Sequence, residues 1–304
     1  MSTPPFRTKF NPQHGNAVPV APDILRVTAP NSGPFTFHGT NSYIVGDKSL
    51  VVIDPGPDDS THLKTLLDAI DGRPVSHIAV THTHMDHSPL SQPLAKITGA
   101  KIVAEGPHRA ARDLHIGEQN PLDAAADRDF EPDISIGDGD LLRGEGWTLE
   151  AIYTPGHTAN HVAFALRDRD ILFPGDHVMG WSTSIVAPPD GSMSDYMKSL
   201  DVLAGRDEGT YFPGHGGRLE KGREFTRALR THRKMREAAI LARIQGGDRR
   251  IPEIVAAIYK DTNPKLHGAA ALSVMAHLED LVASGKVKTN GPVSIDGEYF
   301  PASD

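Results

Sequence analysis

Short apolar runs alternate along this chain with tight clusters of Gly, Pro and Asp. Runs at Ile24–Ala29, Asn41–Val45 and Leu50–Asp54 have the look of strands, and the last is closed by the turn Pro55-Gly56-Pro57. At His62–Ile70 the period changes, because Leu63, Leu66, Leu67 and Ile70 fall on one face of a helix. His77–Val80 reads as a buried strand that runs straight into Thr81-His82-Thr83-His84. Leu90–Thr98 follows as a helix and Lys101–Ala104 as another strand. Residues 107–146 are polar and rich in Gly and Asp, so mostly loop is expected there. Strands return at Thr148–Tyr153, His161–Leu166, Asp170–Phe173 and Thr210–Phe212, with helices at Ser194–Ala204 and Glu220–Gln245.

The strands therefore come in two clusters, each followed by helices, an order that fits two sheets packed face to face with helices outside. Gly246-Gly247-Asp248 marks a boundary. Beyond it come a helix at Pro252–Tyr259, a turn through Asn263-Pro264, a helix at Ala269–Ser284 and a hairpin from Lys286–Lys288 and Glu298–Phe300. Helix, helix and hairpin in that order predict a small winged-helix-like α+β module. The expected division is an extended N-terminal segment at 1–22, an α/β catalytic domain at 23–247 and the winged-helix-like domain at 248–304.

At 304 residues the chain is long enough for one large core and a small one. No apolar run approaches the roughly 20 residues that a membrane helix needs. Met1–Pro22 carries Pro and polar residues where an export signal has its apolar stretch, so a cytoplasmic protein with no membrane partner is expected. The chain contains no cysteine, which removes disulfides, thiolate nucleophiles and Cys-based zinc sites together. Any metal must then be held by His and carboxylate, and 16 His stand against 10 Phe and 6 Tyr. The net charge of −8 is unevenly spread: residues 1–217 carry a net −12 and residues 218–250 a net +7. A solvated helix face accounts for the basic block, and a polyanion-facing surface is the alternative.

The chemistry concentrates in His82-Thr83-His84-Met85-Asp86-His87, which sits on a turn directly after the buried strand. Ligands at alternate positions followed by an adjacent Asp-His pair let one loop reach two points a few ångströms apart. Three further segments have a common form, a strand end running into a Pro-Gly turn that displays one ligand. They are Pro155-Gly156-His157, Pro174-Gly175-Asp176 and Pro213-Gly214-His215. With Asp176 bridging, one ion takes His82, His84, His157 and Asp176, and a second takes Asp86, His87, His215 and Asp176. Room remains for a shared water, acidified to a metal-bridged hydroxide nucleophile, as catalytic zinc sites require. Asp86 is expected to ligate metal and also to orient the attacking water.

This pattern resembles the metallo-β-lactamase superfamily, whose first signature is His-x-His-x-Asp-His. Gly39-Thr40-Asn41-Ser42-Tyr43, Val52-Ile53-Asp54-Pro55-Gly56, Asp195-Tyr196, Pro213-Gly214-His215-Gly216, the His232-Arg233 helix and the small C-terminal domain look like its β-lactamase-like-protein-2 branch. The resemblance spans about residues 24–290. It implies an αββα four-layer sandwich and a binuclear zinc site, two ions per chain, with the ligands above; iron or manganese suits the same donors. It also implies that Asp54 holds the metal loop through hydrogen bonds. Asn41 is expected at the site mouth, as a substrate contact or as a plain turn residue. Tyr196 and Lys198 are expected to contact substrate or merely to pack and solvate. His161 and His177 neighbour ligands but are left out of the ligand set, since opposite pleating makes joint use of Asp176 and His177 on one ion awkward.

Two substrate classes compete for this expected hydrolase. The branch includes metal-dependent endoribonucleases, which with the basic segment suggests single-stranded RNA. A hydrolase core similar to that of glyoxalase II, together with the acidic remainder, suggests a small-molecule thioester, lactone or other ester. A third reading is a nucleic-acid-binding regulator working through the winged helix. It is disfavoured because Ala269–Ser284 carries Glu279 and Asp280 and neither Lys nor Arg, so sequence-specific DNA is not an expected partner. The module is instead expected to pack on the catalytic domain or on a second subunit, which leaves a homodimer open.

Overall fold

The computed structural model describes residues 4–302. Strands β1 (Ala17–Ala21), β2 (Ile24–Thr28), β3 (Asn41–Val45) and β4 (Leu50–Ile53) form an antiparallel meander. Strands β5 (Val75–Ala79), β6 (Lys101–Ala104) and β7 (Ile134–Ser135) extend it in parallel to a seven-stranded sheet. A second sheet has the order β12-β11-β10-β9-β8, from β8 (Leu141–Gly144), β9 (Trp147–Tyr153), β10 (Val162–Leu166), β11 (Ile171–Phe173) and β12 (Thr210–Tyr211). Its pairs are antiparallel except β11 with β12.

The strand pleat sorts side chains into layers. In β4, Val51 and Ile53 face the second sheet and join Leu149, Phe164 and Phe173, while Leu50 and Val52 face outward. There they meet Leu66 and Ile70 of α1 (Ser60–Ile70) and Leu94 of α2 (Ser91–Thr98). The outer face of the second sheet packs Ala163 and Leu172 against Leu200 and Leu203 of α3 (Met193–Gly205) and Leu229 of α4 (Gly222–Gln245). Strands buried on both faces read as continuous apolar runs without polar alternation, which is what the sequence showed. The result is the αββα sandwich. Truncating Phe164, fully buried between the sheets, to Ala costs about 3–5 kcal/mol.

Helix ends follow local chemistry. The Asp59 carboxylate accepts the His62 N–H at the start of α1, and the Ser192 hydroxyl accepts the Asp195 N–H at the start of α3. The C-terminal module comprises α5 (Ile251–Ile258), α6 (His267–Ala283) and the hairpin β13 (Val287–Thr289) with β14 (Tyr299–Pro301), a winged-helix arrangement. Helix α4 serves both cores: Phe225 and Leu229 pack on the sandwich, and Ile240 and Ile244 pack with α5 and α6. The module docks on the catalytic domain through Ala276, which joins the sandwich's outer core, and through an Arg112–Glu279 ion pair at 2.7 Å.

Three strands escape a reading of the sequence. The segment expected only as an extended lead-in supplies edge strand β1, whose Pro19 is tolerated because an edge has no neighbour on that side to receive a proton. The polar stretch 107–146 contains β7 and β8, where only Leu142 of the Leu-Leu-Arg-Gly strand is buried.

Candidate metal centre

Strands β4, β5, β9, β11 and β12 each hand over to a residue of the cluster within a few positions of their C-terminal ends. Asp54 follows β4, His82 to His87 follow β5, and His157, Asp176 and His215 follow the other three. Glycine is needed in these turns for contact reasons: a side chain at Gly214 would strike the Asp176 carboxylate and the His87 ring.

All seven expected ligands converge. His82 Nε2 lies 3.0 Å from His84 Nδ1, which lies 3.1 Å from His157 Nε2. Beside them, Asp86 Oδ2 is 3.3 Å from His87 Nε2 and 3.2 Å from His215 Nε2, and those two nitrogens are 3.4 Å apart. Asp176 stands between the two groups: Oδ1 is 3.5 Å from His87 Nε2, and Oδ2 is 3.2 Å from His215 Nε2 and 3.8 Å from His157 Nε2. Four donors around one zinc ion at about 2.0–2.1 Å sit roughly 3.3 Å from one another, the spacing seen here. The sets His82/His84/His157 and Asp86/His87/His215 each bring their donor atoms within 4.8 Å of one another and could each hold a metal ion.

The outer hydrogen bonds decide which nitrogens face inward. His157 Nδ1 donates to the Ile185 carbonyl at 2.6 Å, His215 Nδ1 to the Gly39 carbonyl at 3.2 Å and His87 Nδ1 to Asp54 Oδ2 at 2.9 Å. Thr81 Oγ1 donates to Asp54 Oδ2 at 2.8 Å, so it accepts from His82 Nδ1 at 3.0 Å. With Nδ1 committed outward, four imidazoles turn Nε2 toward one another and toward two carboxylates. Such a nest calls for positive charge at its centre, from a metal ion or, without one, from protons on the rings that face the carboxylates. The donor set fits a metal.

Without a metal, the carboxylates draw protons onto two of these rings. Burial lowers His87 and His215, yet the facing carboxylates prevail, raising His87 well above its ordinary value and His215 to about 10. Burial raises Asp86, and His87 and His215 reverse this and hold it well below the usual carboxylate range. On the other side burial, then His157, pushes His84 down to about 3.

The remaining expectations divide. Asp54 is buried at a left-handed φ of 49° and accepts from Thr81 N, Thr81 Oγ1 and His87 Nδ1, which ties both ends of the His82–His87 loop to the end of β4. Asn41, by contrast, is fully buried with its amide donating to the Pro213 and Gly216 carbonyls and its oxygen accepting from Thr28 Oγ1. It fixes the His215 turn and has nothing left for substrate. Tyr196 is also fully buried, its hydroxyl donating to the His177 carbonyl, and Lys198 is an exposed partner of Asp195; neither lines the cleft. Tyr196 faces inward because it shares the buried face of α3 with Met193, Ser199, Leu200 and Leu203. His161 donates or accepts at Thr154 Oγ1, His177 packs 4.4 Å from the Tyr196 ring, and neither joins the donor groups.

Two contributors were not singled out from the sequence. Thr40 Oγ1 accepts from Asn31 Nδ2 at 2.9 Å and so donates to Asp86 Oδ2 at 2.9 Å. Ser184 donates to the Asp176 carbonyl and in turn its own carbonyl accepts from Arg233. Thr40 lay within the quoted Gly-Thr-Asn-Ser-Tyr turn, one residue from Asn41 and on the opposite pleat. Nothing local marked Ser184.

The cluster forms the floor of a cleft of about 480 Å³, with walls that include Phe35, Trp181 and Ile185 on one side and Tyr259, Leu266 and Ala269 of the C-terminal module on the other.

An αββα sandwich with this nest at one rim defines a protein class, and the chain belongs to it: residues 35–215 match the metallo-beta-lactamase superfamily. Residues 251–293 match the beta-lactamase associated winged helix domain. The chain is 28% identical over 292 residues to a beta-lactamase-like protein 2 homolog of Drosophila melanogaster, covering 91% of this chain and 93% of that one. It is 30% identical over 237 residues to an atrochrysone carboxyl ACP thioesterase of Pseudocercospora fijiensis, covering 75% of this chain and 64% of that one. Among solved structures, a beta-lactamase domain protein from Burkholderia ambifaria superposes with a TM-score of 0.79 at 20% identity, over 96% of this chain and 95% of that one. Among the described residues no helix is long and apolar enough to cross a membrane.

Proposed function

We propose that this protein is a binuclear metal-dependent hydrolase that cleaves the carbonyl of a small ester or thioester. The observation that carries the reading is the nest of inward lone pairs and two carboxylates on the floor of a largely apolar cleft. One ion would be held by His82, His84, His157 and Asp176, the other by Asp86, His87, His215 and Asp176. Zinc suits these donors, and iron or manganese accepts them too.

Cations held there would supply Lewis acidity to activate water and to stabilise the oxygen on which negative charge grows. The chain supplies the rest. Asp86 is the most open of the two carboxylates, 24% exposed at the side chain against 9% for Asp176, so it can meet substrate and attacking water. Thr40 fixes its carboxylate by donating to Oδ2, which leaves Oδ1 to accept the water's proton. Asp54, Gly39 and Ile185 hold the imidazoles so that nothing reorganises during turnover. The apolar walls exclude competing water from the scissile carbonyl.

The small-substrate reading is favoured by the cleft's size and lining, since roughly 300–1,000 Å³ is the range of small-molecule pockets. A single-stranded RNA path needs an open basic groove with successive stacking platforms. The basic block of α4 does not provide one: Arg230 pairs with Asp201, Arg223 with Asp207, and Arg243 with Asp248. The relative named as an acyl-carrier-protein thioesterase supports the same choice. A side-by-side assay of thioester, ester, lactone and labelled single-stranded RNA tests it. Turnover of a thioester or ester with RNA left intact is expected; RNA cleavage without ester turnover would replace this reading with the nuclease one.

A further inference from the structure

The cleft wall farthest in sequence from the donor loops is built by α4 and the C-terminal module, and it carries charge of one sign. Arg233 and Arg236, one helical turn apart on α4, both line it. Arg233 is 4% exposed; its terminal nitrogens donate to the Ser184 carbonyl and, at 3.1 Å, to the Ser273 hydroxyl, and its Nε has no partner. Arg236 lies 4.1 Å from the centre of the Tyr259 ring, and its buried Nη1 has no acceptor. Among the described residues neither guanidinium pairs with a carboxylate, and the only acids lining the cleft are Asp86 and Asp176 of the donor cluster. Burial and the charge of Arg233 both press the Arg236 pKa down, opposed only by Tyr259. His277 of α6, buried beside them with both ring nitrogens unpartnered, brings no compensating anion.

A cation withdrawn from water and left unpaired is strongly disfavoured, and a guanidinium keeps its charge at any working pH. Arg233 is buried and Arg236 half-buried, and each keeps a buried N–H that no group of the chain accepts, so an anion from outside the chain can complete them. We propose that Arg236, backed by Arg233, forms an anion seat for the substrate, holding a carboxylate or phosphate at the end remote from the scissile carbonyl. The planar fork of Arg236 suits an oxyanion with two oxygens in one plane, and Tyr259 beneath it keeps the fork from swinging away. The proposal rests on the hydrolase reading of the same cleft and narrows it from esters and thioesters in general to anionic ones.

Calorimetric titration of the zinc-loaded full chain with methyl phosphate and with glutarate tests the seat without turnover. One of the two is expected to bind, with affinity falling about tenfold or more in Arg236→Ala and partly regained in Arg236→Lys, which returns charge without the fork. The better ligand identifies the oxyanion. If Arg236→Ala fails to fold by circular dichroism, Arg236→Met keeps the stem over Tyr259 and takes its place. Undiminished affinity in the variant, or no binding of either anion to the wild type, overturns the seat. In the kinetic arm, preference for a carboxylated thioester over its methyl-capped counterpart should shrink about tenfold in Arg236→Ala through KM. If the wild type hydrolyses no ester at all, the proposed activity fails, while the titration still decides the seat.

Discussion

Asp54 stands directly behind His87, 2.9 Å from its Nδ1, and through Thr81 it also steadies His82. One carboxylate outside the cluster thus fixes the tautomer of an imidazole in each of the two donor groups. Replacing it with Ala leaves the seven donors present but two of them free to turn. Metal affinity of Asp54→Ala is expected to fall about 10–100-fold, read by competition with a chromophoric chelator. Affinity equal to wild type would reduce Asp54 to a turn residue.

Asp86 is the donor that opens to the cleft. Asp86→Ala removes both a ligand and the acceptor for the water's proton, and kcat should drop by at least about 10²–10⁴ with the circular dichroism spectrum unchanged. Thr40→Val deletes only the hydroxyl that aims Asp86, and a smaller loss, carried in kcat with KM held, is expected. Near-normal turnover in Asp86→Ala would contradict its assignment.

Chelation should abolish activity and lower the melting temperature, since a metal bound by donors that only the folded chain brings together stabilises that chain. A metal present at about 100 times its Kd contributes about 2.7 kcal/mol of stability, which a thermal melt detects. Re-addition of zinc, manganese and iron in separate samples, scored by both activity and melting, ranks the metals. A protein that keeps full activity after exhaustive chelation has no metal chemistry to explain.

Acid should destabilise the fold well before its carboxylates titrate. Burial pushes His62 down to about 4, where it packs against Ser42 at the start of α1. The unfolded chain binds a proton at His62 below its ordinary value of 6.5 while the folded chain does not, so stability is lost as pH falls from 6.5 toward 4. Integrated, this single group contributes about 3 kcal/mol that disappears across that window. Urea melts of wild type and His62→Gln between pH 4 and pH 7 test it. The variant's acid limb should be flatter, and parallel limbs would move the effect elsewhere.

The sequence disclosed the donors because each ligand is presented by a local device, a strand end followed by a Gly turn or the alternating His-x-His-x-Asp-His loop. Such devices need no knowledge of distant neighbours. Asn41 and Thr40 show where that legibility stops. They are adjacent in the chain, but the pleat buries one among carbonyls and turns the other toward Asp86, and no pattern in the flanking residues tells the two faces apart. For Tyr196 the sequence left packing and substrate contact open for a related reason, since a helix that covers a sheet on one side and meets another helix on the next has little outward face left. Arg233 and Arg236 read as part of a solvated basic block. Their burial depends on α6 and Tyr259, well downstream, folding back over α4. β1 was hidden by Pro19, a residue that argues against a strand everywhere except at an edge.

Helix α4 begins on the sandwich and finishes inside the small module, so the two bodies share a single rigid strut. A hinge between them would have to bend that helix or strip Ile240 and Ile244 from the module's core, which disfavours opening of the cleft by domain rotation. Entry past side chains and loops at the mouth is the cheaper route. Remodelling α5 and α6 then becomes a way to reshape what the pocket admits while the reactive floor stays in place.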